Sequence, residues 1–274
     1  MTGLMNGEIQ IASTIPPHLI SRLESKKGLK ASIAPSAEGM FLGMNSKFPP
    51  WNNKAARQAV AFAIDRELIA KKVFQGHALV LNGPVGEGQF GYSPTFENKY
   101  PYDPQKARKL LEEAGLLGAQ VELTTTTNRY LYDVQAAEAM VPMLEAAGFK
   151  VKFSTPEYAT QFSEIQKGNR AFYYHGRGTM MDPTAALIQM FQTGVTPRIR
   201  YSNPEFDRLL EESRNEFDRD KRRAALQKAF AVLQDDVPAL FMWRLSIMYG
   251  VDEGKVAYRP LPHNRVFGTD MLTK

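Results

Sequence analysis

The sequence predicts an α/β fold, and three observations carry that prediction. Short runs rich in β-branched and aromatic residues alternate with helical stretches, most regularly over residues 121–175, which read strand, helix, strand, helix, strand. Asp103-Pro104, Asp182-Pro183 and Asn203-Pro204 each set a capping side chain directly before a proline, a combination that opens helices. Right-handed crossovers would place the three strands of residues 121–175 parallel in one sheet.

In chain order, residues 29–34 and 39–45 are expected as two short strands. Residues 55–74 are expected as one helix, with Val60, Ile64 and Leu68, flanked by Phe62, Ile69 and Val73, forming an apolar stripe that ends at Gly76. The helix opened by Asp103 stops at Gly115. A strand over 121–127 leads to a helix over 132–147 closed by Gly148, in which Pro142 predicts a kink or a local break. A strand over 149–155, a helix over 158–166 ended by Gly168, and a strand over 170–175 complete the alternating part. Helices follow near 183–193, 204–216 and 221–234, the last with Leu226, Phe230 and Leu233 on one side. Residues 240–249 form a long apolar strand, and the tail from Asp252 reads as loop.

Composition narrows the classes. The 274 residues, 43% hydrophobic and 23% charged, can bury a substantial core, which excludes disordered and fibrous chains. There is no cysteine, so disulfides, thiolate metal sites and cysteine nucleophiles are excluded. The net charge of +5 raises nucleic acid as a partner, but the basic residues are dispersed among 29 acids without an aromatic-interleaved basic run, and no nucleic-acid partner is expected. No stretch approaches the about eighteen apolar residues of a membrane span. His18, His77, His175 and His263 show no metal-motif spacing, no Gly-x-Ser-x-Gly elbow is present, and the carboxylate pairs Glu112/Glu113 and Asp235/Asp236 read as solvated helix faces. No metal, cofactor or catalytic residue is assigned.

Ligands of open α/β sheets sit outside the carboxyl ends of the strands, which selects the loops 127–132 and 175–182. Arg129 is the first candidate, since a guanidinium can hold a carboxylate bidentately; the competing reading is a surface arginine paired with Asp133. Arg177 lies between Gly176 and Gly178, which permit close backbone approach, and would suit an anion; the alternative is a mobile loop with its arginine in water. Tyr130 and Tyr174 are candidate pocket walls. Asp182 reads as a helix cap rather than a ligand. The loop 83–91 has too many irregular glycines for a phosphate-binding fingerprint.

Residues 41–66 join an apolar strand ending in Asn45, a loop with Pro49, and a helix carrying Arg57, Gln58, Ala59, Ala63, Ile64, Asp65 and Arg66, followed by Glu67. With Tyr92-Ser93-Pro94, the block 100–115, the block 201–210, the Asp220-Lys221-Arg222-Arg223 and Asp236-Val237-Pro238-Ala239 segments, and Gly7 to Ala12 with Gln10 where Asp is usual, this resembles the dipeptide/oligopeptide/nickel-type solute-binding proteins of ABC importers. The resemblance covers almost the whole chain. It implies a periplasmic-binding-protein-like lobe of the class II type, a mixed sheet flanked by helices, with the first lobe missing, because such proteins run to about twice this length.

Residues 1–28 would then be the end of the first lobe and a crossover. Residues 29–238 would be the second, ligand-binding lobe, and 239–274 the return crossover and a C-terminal segment belonging to the first lobe. The implied function is capture of a small-molecule or peptide solute between two lobes and delivery to a cognate ABC permease, outside the cytoplasm and without enzymatic activity.

In peptide-binding relatives an Arg in the loop after the first parallel strand holds the peptide carboxylate, and Asn128-Arg129-Tyr130 falls at about that place. An Asp before the next helix start meets the peptide ammonium, and Thr179 stands about there instead. A neutral hydroxyl cannot offset the desolvation of an ammonium, which weighs against ordinary peptides. Two readings remain beside transport: a one-lobed interaction protein using the exposed cleft face, and a hydrolase on the same scaffold.

Overall fold

The computed structural model describes residues 1–178, 181–262, 266 and 271–273. The N-terminal stretch carries α1 (Thr2–Met5), β1 (Ile11–Ala12), a turn of 3-10 helix (Pro17–Leu19) and α2 (Ile20–Glu24). β2 (Leu29–Met44) leads into α3 (Lys54–Ala63), α4 (Arg66–Lys72) and β3 (Ala78–Val80). Then α5 (Pro104–Glu113), β4 (Gln120–Thr124), α6 (Asp133–Ala147), β5 (Lys150–Ser154), α7 (Tyr158–Lys167) and β6 (Phe172–Arg177) alternate. α8 (Thr184–Phe191), α9 (Pro204–Asn215) and α10 (Arg219–Asp236) precede β7 (Ala239–Asp252), β8 (Val256–Tyr258) and β9 (Met271–Thr273).

These elements build a seven-stranded mixed sheet in the order β1-β7-β2-β6-β4-β5, with β3 also on β7. β4 pairs in parallel with both β5 and β6, as expected from the strand-helix-strand order, whereas β2 is antiparallel to β6 and β7. Because strand side chains alternate, the sheet divides its apolar residues between two layers. Met40, Leu42, Phe172 and Tyr174 pack on one face against α3, α5 and α6, while Phe41 and Tyr173 pack on the other against α8, α9 and α10. Smaller clusters around Leu23 and Tyr249 lie toward the other end of β2 and β7.

The cap-then-proline starts at Asp103 and Asn203 hold, whereas α8 begins one residue later than expected, with Pro183 as its N-cap. Asp103 accepts from the Lys106 amide at 2.9 Å, and Asn203 from the amides of Glu205 and Phe206. Asp182 accepts from the Thr184 amide at 3.0 Å and pairs with Arg222, so its carboxylate is occupied at the start of α8.

Four expectations are corrected. The two short strands are one, β2, because β7 templates it from Leu29 to Gly43; the ladder shifts register between Pro35 and Gly39 rather than ending. Pro35 has no amide to donate, and the carbonyls released there are taken by Arg244 Nε on Ser36 at 2.7 Å and Gln89 Nε2 on Ala37 at 3.3 Å. The helix over 55–74 is two, α3 and α4. Ile64 is extended, Asp65 caps α4 through the Leu68 amide, and the buried Arg66 guanidinium bonds the carbonyls of Leu81 and Phe241. The break turns Leu68 outward, to 42% exposure. α6 runs through Pro142 without ending, so of the kink or break expected there the break does not occur. The tail is not all loop, since β8 pairs with β9.

Candidate functional site

The carboxyl ends of the parallel strands meet at one place. β4 ends in a loop whose backbone takes the left-handed conformation at Asn128 and at Tyr132, and Asp133 gathers that loop. Its Oδ2 accepts from the amides of Arg129 (3.0 Å) and Tyr130 (3.1 Å) and from Thr126 Oγ1 (3.2 Å). Asp133 is buried and committed to the backbone, which leaves the Arg129 side chain to other partners. Its guanidinium lies over the rings of Tyr130 at 4.8 Å and Tyr158 at 5.2 Å, a cation–π arrangement that steers the head group without neutralising it.

Tyr158 opens α7, directly after β5. Its ring stacks on His175 of β6, with centroids 6.3 Å apart and planes 5° from parallel, and Phe162, one turn on, stacks on the same imidazole at 6.0 Å. Tyr130 meets His175 edge-on at 5.6 Å. The imidazole is thus enclosed by aromatic rings. Burial first, and then the positive charges of Arg129, Arg198 and Arg177, push its pKa down from 6.5 to about 4, so the ring is neutral at physiological pH. Burial also keeps the Tyr130 phenol protonated.

A cavity of about 170 Å³ lies between these groups. Phe41, Ile165, Tyr173, Met190 and Ile199 give it apolar walls, and Arg129, Arg177 and Arg198 enter it with Glu38. Arg177 donates to Gln189 Oε1 and Arg198 Nε donates to Gln166 Oε1, both at 2.6 Å. A carboxamide orients a guanidinium and satisfies a donor, but it cancels no charge. Among the described residues none of the three arginines forms an ion pair with a carboxylate, and Glu38 is the one carboxylate in the lining. Burial raises the Glu38 pKa, and Arg129 opposes that rise.

A larger cavity, about 360 Å³, is lined by the glycine- and proline-rich loop around residues 82–94 and by Arg244. There the guanidinium is already engaged by the carbonyls of Ser36 and Glu87. The smaller cavity is the better candidate because its three guanidiniums outnumber its one carboxylate.

Of the residues picked from sequence, Arg129, Tyr130 and Arg177 line the smaller cavity. Asn128 is exposed at the tip of the turn and is not part of the lining. Tyr174 lies on the opposite face of β6, fully buried, its hydroxyl accepting from Trp243 Nε1 at 2.9 Å; strand alternation presents Tyr173 and His175 to the cavity instead. Thr179 lies outside the described residues. Sequence reasoning missed Glu38, Tyr158, His175 and Arg198. The period-2 rule places His175 with Tyr173 only once the face of Tyr173 is known, and nothing in the segment around Arg198 distinguishes it.

The family profile for bacterial extracellular solute-binding proteins, family 5 Middle, matches residues 1–197. The glutathione-binding protein GsiB of Pectobacterium atrosepticum is 27% identical over 250 residues, covering 87% of this chain and 48% of that protein. The dipeptide-binding protein of Escherichia coli is 25% identical over 249 residues, covering 87% and 46%. The chain therefore spans about half the length of the curated relatives it matches. Among solved structures, HbpA2 from Haemophilus parasuis superposes with a TM-score of 0.87 at 22% identity, over 100% of this chain and 55% of that one, a likeness of fold.

Proposed function

The chain belongs to the bacterial extracellular solute-binding proteins of family 5, and from that premise we propose that it forms one wall of the solute cleft in the binding component of an ABC importer. The observation that carries this reading is the cavity at the carboxyl ends of β4, β5 and β6, where three arginines gather around one carboxylate, Glu38, and among the described residues none of them forms an ion pair. Such a site can hold an acidic group and has apolar walls for the rest of a small molecule. In this reading residues 29–238 are the ligand-binding lobe, and the flanking segments 1–28 and 239–274 connect it to a facing lobe. Closure of the facing lobe traps the solute, with bending at the β2–β7 register shift, and the closed form docks on the permease.

Arg129 has the part of the carboxylate holder, its guanidinium braced by Tyr130 and Tyr158. Relatives named for glutathione and for dipeptides support a small carboxylate-bearing solute. The family is extracellular by its description, and on that ground we place the protein outside the cytoplasm; among the described residues no helix is long and apolar enough to cross a membrane.

Native mass spectrometry of the intact protein, gently purified, tests the reading. A mass excess that disappears on denaturation supports it, and a well-folded protein that carries nothing and stays unshifted across solute libraries contradicts it. Arg129→Ala is expected to weaken capture of an acidic solute by about tenfold or more, from loss of a charge-assisted hydrogen bond, as read by calorimetric titration.

A further inference from the structure

The three arginines of the cavity are not equivalent. Arg129 shares its surroundings with Glu38, each lowering the cost of the other's charge. Arg177 and Arg198 instead line the same cavity, each partly withdrawn from water, and the positive charge of Arg198 adds to burial in making the Arg177 cation harder to keep. Both are held by carboxamides, Gln189 and Gln166, which fix the direction of each guanidinium and leave its charge intact. Two like charges brought together in a partly dry site are costly unless something negative joins them. Beside them, Nδ1 of His175 is buried without a hydrogen-bond partner in a residue only 7% exposed. An unpaired polar atom in such a place normally acquires a partner.

Ammonium groups are poorly suited to this half of the cavity. A second cation would meet Arg177 and Arg198, while Glu38, the one carboxylate among the described lining residues, is balanced by Arg129. An acid would supply what both guanidiniums lack, and a bidentate grip on it is within the geometry of a planar fork.

Resting on the reading of the chain as a solute-binding protein, we propose that Arg177 and Arg198 form a second anion subsite, so that the solute is a small organic dianion. One acidic group goes to Arg129 and the other to the Arg177–Arg198 pair, with the body of the molecule against the apolar walls and the His175 ring. The cavity, about 170 Å³, suits a short spacer between the two groups.

The test uses the intact protein and three probes in calorimetric titration: glutarate with two carboxylates, pentanoate with one on the same carbon count, and the zwitterion Ala-Ala. Glutarate is expected to bind about 10- to 100-fold more tightly than pentanoate, the value of a charge-assisted contact, and to lose more affinity than pentanoate as salt is added. Arg177→Gln and Arg198→Gln, each verified to melt as a folded protein, are expected to bring the glutarate-to-pentanoate ratio toward one. The wild-type comparison stands even if a variant fails to fold. Equal binding of glutarate and pentanoate, or preference for Ala-Ala, overturns the second subsite while leaving solute binding intact. Failure of every probe, together with no trapped mass in the native protein, overturns both.

Discussion

Gly176 sits where the site leaves no room for a side chain. A Cβ there would fall 2.5 Å from Cε1 of Tyr130 and 3.0 Å from Sδ of Met40. Gly176→Ala is expected to displace Tyr130 from beneath Arg129, lowering stability by about 1–3 kcal/mol in urea titration and weakening solute capture in the same sample. His175 supplies a pH signature. Its pKa is about 4 in the fold and 6.5 unfolded, so between those values the unfolded ring binds a proton that the folded ring refuses. The stability it contributes is complete above pH 6.5 and is lost as pH falls toward 4, by up to about 3 kcal/mol. Denaturant titrations at pH 7 and pH 4.5 should show a smaller loss for His175→Gln than for wild type; equal losses would refute the assignment. The same residue marks a limit of legibility. In the run Phe172 to His175 both faces of the strand are buried, so polarity does not alternate and the sequence favours neither Tyr174 nor His175 as the inward residue. Arg129 and Arg177 were legible because strand ends select them, but Arg198 arrives from a loop after α8, placed only by tertiary packing.

Helix starts were legible because a cap is a local device: Asp103 and Asn203 satisfy amides two or three residues away. β2 was not, since its continuity depends on β7, some two hundred residues later in the chain, which holds the ladder across a proline that reads locally as a stop. The split between α3 and α4 was hidden for a similar reason. The stripe through Ile64 and Leu68 is periodic, but Arg66 is drawn inward by carbonyls of Leu81 and Phe241 that no local pattern announces. Pro142 sits exposed within α6, lacking an amide and restricting the turn before it. Pro142→Ala is expected to stabilise the protein by about 2 kcal/mol, the gain in helix propensity reduced by a more flexible unfolded chain. A lower urea midpoint for that variant would mean that the ring makes a contact worth more than the missing hydrogen bond.

Over the whole molecule, β2 and β6 contribute alternate residues to both apolar layers, so neither layer can lose its packing without exposing the back of the other. Trp51 and Trp243, both buried, report one layer, while α9 and α10 belong to the other and contribute to far-ultraviolet circular dichroism. Fluorescence and dichroism are expected to give coincident urea midpoints, and two separated transitions would show that the layers unfold independently. The overall class was readable because α/β alternation spans half the chain; the mixed character of the sheet arises from β2 and β7, whose pairing is long-range. That pair also has a mechanical character. Pulled lengthwise, antiparallel strands load many rungs in shear at once and resist together. Flexed across their width at Pro35 to Gly39, where the rungs lapse and two side chains hold the carbonyls instead, they yield. Such a strap is expected to be stiffer in tension than in bending at the register shift.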